Sequence, residues 1–208
     1  MVFYDIGAST YDGVVSKEWV KAIAERINIP FCVAGGIKSV EQAKVILNSG
    51  ADKVSVNSPA IERPELIHEL ANEFGSQCVV VGIDSLMIED DYIVYSKTGD
   101  ENTATNTSIK TIDWIEKVQE LGAGEIVLNC MDRDGVRDGY DIYQLNKMIS
   151  ISNIPVIASG GAGSMKDFKN VLTQTNSSGA LAASVFHKNL FNINDLKIYL
   201  KNESLNIR

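Results

Sequence analysis

Three aspartates stand at the ends of apolar runs, where a carboxylate could carry out acid–base chemistry. Asp5, Asp84 and Asp132 each terminate such a run. A carboxylate at the rim of an apolar core can act as a general acid or base, because its surroundings adjust how tightly it holds a proton. For any one of them the alternative is a helix N-cap or a turn residue. That alternative suits Asp132 and Asp134 better than Asp84, and we take Asp84 and Asp5 as the catalytic candidates.

The chain that follows Asp84 forms a long, polar insertion. It runs through residues 85–91 into a hairpin-like segment, residues 92–95 with 98–100, before a helix predicted around residues 112–121. A long insertion beside a catalytic mouth is commonly a lid or a binding loop. We expect one of these two roles for this segment.

Two Gly-Gly pairs could hold phosphate groups. The pairs at 35–36 and 160–161 each end an apolar run, and Ser39 or Ser164 follows where it could cap the next helix. Backbone N–H groups next to a helix N-terminus can bind a phosphate without net positive charge. For a single pair the alternative is a tight turn that needs positive φ. Two copies favour a ligand with a phosphate at each end, so the implied substrate is a long bisphosphate.

These residues belong to a duplicated pattern. The segment 28–31 with the glycine pair at 35–36 recurs 125 residues later, as 153–156 with 160–161. Each half reads as strand, helix, strand, Gly-Gly turn, helix, strand, and alternating strands and helices imply a parallel sheet. The second half has one further strand in front. The predicted strands lie near residues 2–6, 30–34, 52–57, 77–83, 125–130, 154–158 and 179–183.

The repeat predicts an α/β fold of the (β/α)8 TIM barrel class. Two halves of four strand–helix units would close such a barrel, and its active site would lie at the carboxyl ends of the strands. The sequence contains seven such units, because the unit that begins the second half has no counterpart in the first half. We therefore expect residues 1–208 to form a single, truncated TIM-barrel domain, with an open doubly wound sheet as the alternative.

The composition argues against several classes of protein. A formal net charge of −8 is unsuited to nucleic acid, which is bound by clustered Lys and Arg. No apolar run reaches the roughly 18 residues of a membrane span, and no basic, apolar leader precedes Asp5, so we expect a cytoplasmic protein. Cys32, Cys78 and Cys130 are expected to be buried within strands. With two histidines in the chain, we expect neither a metal site nor a cofactor.

Several segments together resemble one enzyme family. They are FYDIGAS, PFCVAGGIKS, GADKVSVNSPA, CVVVGIDS, LGAGEIVLNCMDRDGVRDGYD, IPVIASGGAGSM and GALAASVFHKN, and they cover essentially all 208 residues. The sequence is similar to the cyclase subunit of imidazole glycerol phosphate synthase, a lyase of histidine biosynthesis. The combination of GGAG with LAASVFH separates it from the sister isomerase of that pathway.

The resemblance implies a reaction and a partner. The family's cyclase takes ammonia from a partner glutaminase and acts on phosphoribulosyl-formimino-aminoimidazole carboxamide ribotide, which carries two phosphates. Its products are imidazole glycerol phosphate and aminoimidazole carboxamide ribotide. The bisphosphate that the repeat predicts would be this substrate.

The matching motifs also imply roles for individual residues. Asp84 resembles one of the family's two acid–base aspartates, and Asp5, Ser55 and Asn129 would line the mouth between the phosphate sites. The first phosphate site would be formed by Gly36, Asn57 and Ser58, and the second by Asp134, Gly135, Gly161, Ala183 and Ser184.

Two charged residues match the family's ammonia gate. Lys53 and Glu125 stand at the starts of two predicted strands, on the face opposite to the active site, where the glutaminase would dock. Charges are costly to bury at that end unless they are paired, so a salt-linked gate that faces a partner is physically sensible. The alternative is a pair of solvated surface charges.

The sequence departs from the family at two places. The other acid–base aspartate lies on the family's first strand, which has no counterpart here, and Gly7 stands where a Thr is more common. We expect the sequence to be a fragment or to begin at a mis-assigned start. Two other functions stay open: a module that binds the bisphosphate and the glutaminase without turnover, and a related ammonia-using synthase of surface-glycan biosynthesis.

Overall fold

The chain folds around one sheet with a parallel core. The computed structural model describes residues 1–9 and 13–207. Within that part of the chain the strands are β1 (Val2–Tyr4), β2 (Cys32–Ala34), β3 (Lys53–Val56), β4 (Val79–Ile88), β5 (Asp91–Ser96), β6 (Thr105–Lys110), β7 (Glu125–Cys130), β8 (Val156–Ser159) and β9 (Gly179–Ala180).

Helices follow the parallel strands and pack on one side of the sheet. The described residues form α1 (Lys17–Ala24), α2 (Val40–Asn48), α3 (Ser58–Glu62), α4 (Glu65–Phe74), α5 (Thr111–Glu120), α6 (Ile142–Ile149), α7 (Met165–Gln174), α8 (Ser184–His187) and α9 (Ile193–Asn202). Short 3-10 turns cover Ile6–Ser9 and Ser76–Cys78.

The strand order confirms the predicted repeat. Seven strands pair in parallel in the order β1-β2-β3-β4-β7-β8-β9, and each lies within or overlaps a predicted segment. Ser39 caps α2 by accepting from the N–H of Gln42, and Ser164 forms a capping box with Asp167 at the start of α7. The arrangement is that of a (β/α)8 barrel. Within the described residues β1 and β9 are its two edges and do not pair with each other.

The sheet is curled, so that its inner face encloses a small apolar layer. Cys32 on β2, Val80 on β4 and Val127 on β7 form one buried cluster, although β3 lies between β2 and β4. In a flat sheet, strands two apart are separated by about 9.6 Å, twice the interstrand spacing. Contact across that gap requires curvature. Val2, Ile157 and Leu181 pack against the same layer.

The larger core lies between the outer face of the sheet and the helices. Apolar side chains from β3, β4 and β7 pack there against α4, α5 and α6, as in Val54, Ile83 and Leu128 opposite Leu66 and Ile115, and all five are fully buried or nearly so. Within the described residues no helix is both long and apolar enough to cross a membrane.

The structure differs from the predicted elements in three places. β4 continues past Asp84 to Ile88, because its second half pairs with β5 as an antiparallel hairpin. β6 was not predicted as a strand, since its sequence TNTSIK is polar and it is held by pairing with β5. Cys78 lies half-buried in the 3-10 turn before β4, so the prediction that it is buried within a strand is wrong.

Candidate active site

Asp84 lies at the mouth of the curled sheet and accepts three side-chain hydrogen bonds. Asn129 Nδ2 donates to its Oδ1 at 2.8 Å. Asn57 Nδ2 and Thr98 Oγ1 donate to its Oδ2 at 2.7 and 2.6 Å. These are charge-assisted bonds to a carboxylate, so both oxygens are fixed in position by donors from separate elements.

The strand register explains why the two amides reach Asp84. β3 and β7 are the neighbours of β4, and Asn129 is the direct register partner of Asp84. Asn57 directly follows β3, on the other side. Side chains two residues apart on a strand share a face, so Gly82 lies below Asp84 on the inner face. A Cβ at Gly82 would lie 3.6 Å from Asn57 Cβ and 3.7 Å from Ser55 Oγ, which places Ser55 beside the site.

The two predicted phosphate sites lie at the carboxyl ends of strands on opposite sides of this mouth. Gly36, Asn57 and Ser58 follow β2 and β3, while Gly161, Ala183 and Ser184 follow β8 and β9. At these two places the backbone N–H groups of Gly36, Ser58, Gly161 and Ser184 donate to no acceptor within the described residues.

The glycines of both pairs also have a structural reason. Gly36 and Gly161 have φ of +63° and +109°, in the region that favours glycine. A Cβ at Gly36 would overlap the carbonyl oxygen of Gly13, and one at Gly161 would overlap that of Gly139. Each pair is therefore packed under the backbone of the loop that follows the preceding strand, so the tight-turn alternative accounts for part of the pattern.

Residues 131–139 form the loop beside the second predicted phosphate site. Asp134 lies in its turn, where its N–H donates to the carbonyl of Cys130. Gly135 has φ of +75°, and a Cβ there would meet no atom of the described residues within 4 Å. Gly135 thus borders open space, while the next part of the loop is fastened by the bond from Gly139 N–H to the carbonyl of Gly161.

The other two strand-end aspartates bind backbone rather than Asp84. Asp5 Oδ1 accepts from Ala8 N–H at 3.2 Å and thus caps the 3-10 turn that follows β1. Asp132 Oδ2 accepts from Met87 N–H at 2.9 Å and holds the β4–β5 hairpin. Asp5 lies three strands from Asp84 in the sheet order, so the structure does not bring the two catalytic candidates onto neighbouring strands.

The opposite end of the curled sheet carries the two predicted gate residues as an ion pair. Lys53 Nζ lies 2.6 Å from Glu125 Oε2, and their side chains are 32% and 22% exposed. They are therefore paired and mostly covered rather than independently solvated. Between this pair and Asp84 lies the apolar layer. Burial there, with the negative charge of Glu125, raises the pKa of the Cys32 thiol to about 12.

Comparison with known proteins identifies the family. A family model described as histidine biosynthesis protein matches residues 1–192. Imidazole glycerol phosphate synthase subunit HisF of Pseudoalteromonas translucida is 59% identical over 100% of this chain and 82% of its own length. Proteins of the same name from Vibrio cholerae and Aliivibrio salmonicida are 56% identical over the same shares. This chain belongs to the HisF family.

Membership confirms the resemblance seen in the sequence and the barrel class of the fold. The HisF relatives carry the name of a subunit, so their synthase has more than one kind of chain. The sequence singled out Asp84, Asn57 and Asn129 as candidate site residues. It did not reveal that the Asn57 amide binds Asp84, nor that Thr98 does. The polar insertion that carries Thr98 was the available signal.

Proposed function

We propose that this chain is the cyclase subunit of imidazole glycerol phosphate synthase. It would use ammonia to convert phosphoribulosyl-formimino-aminoimidazole carboxamide ribotide into imidazole glycerol phosphate and aminoimidazole carboxamide ribotide. The observation that carries the proposal is the environment of Asp84 in a HisF-family chain. Three side-chain donors fix this carboxylate, and it lies between the two glycine turns. A carboxylate with a defined orientation at the mouth is suited to moving protons during ring closure.

The two glycine turns would bind the substrate's phosphates. Gly36 with Ser58 would hold one phosphate, and Gly161 with Ser184 the other, with Asp134, Gly135 and Ala183 lining the second site. Backbone N–H groups and hydroxyls supply these contacts. A net charge of −8 is therefore no obstacle, because local donors rather than the total charge hold the phosphates. Binding at both ends would stretch the substrate across the mouth beside Asp84.

Ammonia would reach Asp84 through the inside of the curled sheet. It would enter past the Lys53–Glu125 ion pair, where a glutaminase subunit would dock. The apolar layer beyond would pass the neutral molecule and exclude the ammonium ion, since burying an unpaired charge is far more costly than burying a neutral group. Ser55 and Gly82 then border the route to the mouth.

Asp84 would act when the nitrogen of ammonia attacks the substrate. Attack leaves a positive charge on that nitrogen, and the Asp84 carboxylate would take up the released proton. Addition at the ribulosyl ketone and loss of its oxygen as water would form the first carbon–nitrogen bond. The same nitrogen would then close the ring at the formimino carbon, and the carboxylic acid could protonate the amine nitrogen of the carboxamide ribotide as its bond to that carbon breaks. Asn57 and Asn129 would keep the carboxyl group oriented through both transfers. Asp5, which follows β1 three strands away from Asp84 in the sheet order, would be a second acid–base candidate.

The proposal is tested by turnover of the ribotide with ammonium chloride as the nitrogen source. Asp84→Asn keeps the shape of the side chain but removes its proton-transfer capacity, and should lower kcat by about 10² to 10⁴. Asp90→Asn is the matched control, because Asp90 is an exposed acid in the turn of the same hairpin. Ribotide that stabilises the wild-type chain against unfolding without being turned over would support the binding module instead.

The gate is tested by comparing two nitrogen sources. Lys53→Met should lower the rate with glutamine and the glutaminase subunit at least tenfold, while the rate with ammonium chloride stays within about twofold of wild type. Lys44→Met is the control, since Lys44 forms an exposed ion pair with Glu73 on the helical side. Equal losses with both nitrogen sources would contradict a gate.

A further inference from the structure

The tip of the β5–β6 hairpin contacts two parts of the candidate site at once. The tip comprises residues 97–104, which join β5 to β6. Lys97 N–H donates to Ser58 Oγ at 2.8 Å, and the next residue, Thr98, donates from Oγ1 to Asp84 Oδ2. Ser58 belongs to the first candidate phosphate site and Asp84 is the acid–base candidate. Two consecutive residues therefore connect the substrate-binding end of the mouth with its reacting group.

Lys97 is held in an uncommon backbone conformation by several contacts. Its φ is +56°, in the left-handed region that residues with a side chain adopt only at a cost. Besides the bond to Ser58, its ammonium lies 3.1 Å from Glu62 Oε1, and its carbonyl accepts from Thr103 Oγ1 at 2.7 Å. A costly conformation persists only when its surroundings determine it. The position of the tip relative to α3 is therefore specified rather than incidental.

The Ser58 hydroxyl can serve the tip and a phosphate at the same time. It accepts the hydrogen bond from Lys97 N–H, and within the described residues its own O–H donates to no acceptor. Phosphate oxygens are acceptors, so a bound phosphate would use the donor capacity that Lys97 leaves available. Phosphate binding and docking of the tip are thus compatible and would reinforce each other.

We propose that Thr98 is a positioning residue for Asp84, and that Lys97 keeps it in place by fastening the hairpin tip to Ser58. The inference rests on the proposed function and extends it to the hairpin. Thr98 and Asn57 converge on one carboxylate oxygen while Asn129 holds the other. A phosphate on Ser58 would stabilise the docked tip, so the substrate itself would hold Asp84 in the orientation that the chemistry needs.

Kinetic measurements separate positioning from a general loss of structure. Thr98→Val removes the hydroxyl and keeps the shape of the side chain. It should lower kcat about 10- to 100-fold, because a hydrogen bond to a charged group is lost. KM should change less than threefold, because the phosphate contacts stay. Thr98→Ser keeps a hydroxyl at this position, so its kcat should stay within threefold of wild type. Thr105→Val is the control, since Thr105 Oγ1 donates to the carbonyl of Thr103 on the exposed side of the hairpin.

Amide hydrogen exchange at Lys97 tests the same contacts without turnover. Thr98→Val should speed this exchange at least about tenfold, whereas Thr98→Ser and Thr105→Val should leave it within threefold of wild type. Inorganic phosphate, used as a probe of the Ser58 site, should slow it in the wild-type chain.

The outcomes for the two proposals are distinct. Wild-type kcat in Thr98→Val, or equal losses in Thr98→Val and Thr105→Val, would overturn the positioning role. Unchanged Lys97 exchange in Thr98→Val would overturn it as well, even if the wild-type chain shows no turnover. Absence of wild-type turnover alone would refute only the cyclase proposal.

Discussion

At the scale of single residues, the site is defined by the way side-chain amides bracket one carboxylate. Asn57 and Asn129 come from the strands on either side of β4 and bind different oxygens of Asp84. Asn57 Oδ1 is itself buried, and none of the described residues donates a hydrogen bond to it. A buried amide oxygen without a partner carries a desolvation cost, and a substrate N–H or ammonia at this point would relieve it.

Substitution of Asn129 tests whether the amide orients Asp84 through its donor group. Asn129→Ala should lower kcat of the ammonia-driven reaction about tenfold, because one charge-assisted hydrogen bond is lost. Asn129→Asp should lower it further, since two carboxylates at hydrogen-bond distance cannot both stay ionised and would share a proton. Steady-state kinetics at neutral pH check this order. A more active Asp variant than Ala variant would contradict it.

The sequence could identify Asp84 but not its hydrogen-bond partners. Asp84 follows an uninterrupted apolar run, which is a local signal. The convergence of Asn57, Thr98 and Asn129 depends on the register of β3 and β7 and on the return of the hairpin, which join residues 14 to 45 positions apart. The cap formed by Asp5 was available as an alternative in the sequence, but choosing it required knowledge of where Ala8 N–H lies.

At the scale of elements, the duplication extends to how loops pack on the glycine turns. Gly13 covers Gly36 in the first half, and Gly139 covers Gly161 at the matching place in the second. In both halves the loop after one strand lies against the turn after the next strand. The same backbone contact thus serves both candidate phosphate sites, and the packing requires glycine there whether or not a ligand is bound.

Two glycine substitutions in the second candidate phosphate site separate packing from conformation. Gly161→Ala places a Cβ against the Gly139 carbonyl and should lower the free energy of unfolding by at least about 3 kcal/mol. Gly135→Ala has the same kind of positive φ but open space around it, so it should cost about 1–2 kcal/mol. Urea unfolding measures both. Similar costs for the two variants would contradict the packing role of Gly161.

The elements that the sequence predicted share strong local signals. Those that it missed form only by pairing with a neighbouring strand. All seven parallel strands were located because each is a short, mostly apolar segment in a regular alternation of strands and helices. β6 is polar and contains Ser108 with φ of +60°, so it forms only because β5 lies beside it. The end of β4 was placed too early for a related reason: beyond Asp84 the strand leaves the parallel sheet and pairs within the hairpin.

At the scale of the whole molecule, the curled sheet separates a polar mouth from a charged entrance by an apolar layer. The layer contains Cys32, and burial is the largest cause of its raised pKa. Cys130 and Tyr92 lie in the outer core, and burial also raises the pKa of the Cys130 thiol and brings that of Tyr92 to about 12. The folded chain therefore holds several acidic groups in their neutral form well into the alkaline range.

These raised pKa values predict that stability falls as the pH rises above 9. The ordinary thiol pKa is 9.0, so an unfolded chain loses the Cys32 proton above that pH while the folded chain keeps it up to about pH 12. Over this window the unfolded state binds fewer protons, and the free energy of unfolding decreases by up to about 1.4 kcal/mol per pH unit for each such group. Burial and Glu125 raise the Cys32 pKa, while Lys53 and the amino terminus oppose them.

Urea unfolding at pH 8, 9, 10 and 11 measures this dependence, and Cys32→Ala assigns part of it to one residue. The variant should lose stability at pH 8 because a buried side chain is shortened, but it should lose less than the wild type on going from pH 9 to 11. Val80→Ala is the control, since it shortens a side chain of the same layer without removing a titratable group, and its pH dependence should parallel that of the wild type. If Cys32→Ala also parallels the wild type, the thiol in the apolar layer does not hold its proton as inferred, and the layer is open enough to water to admit a charge.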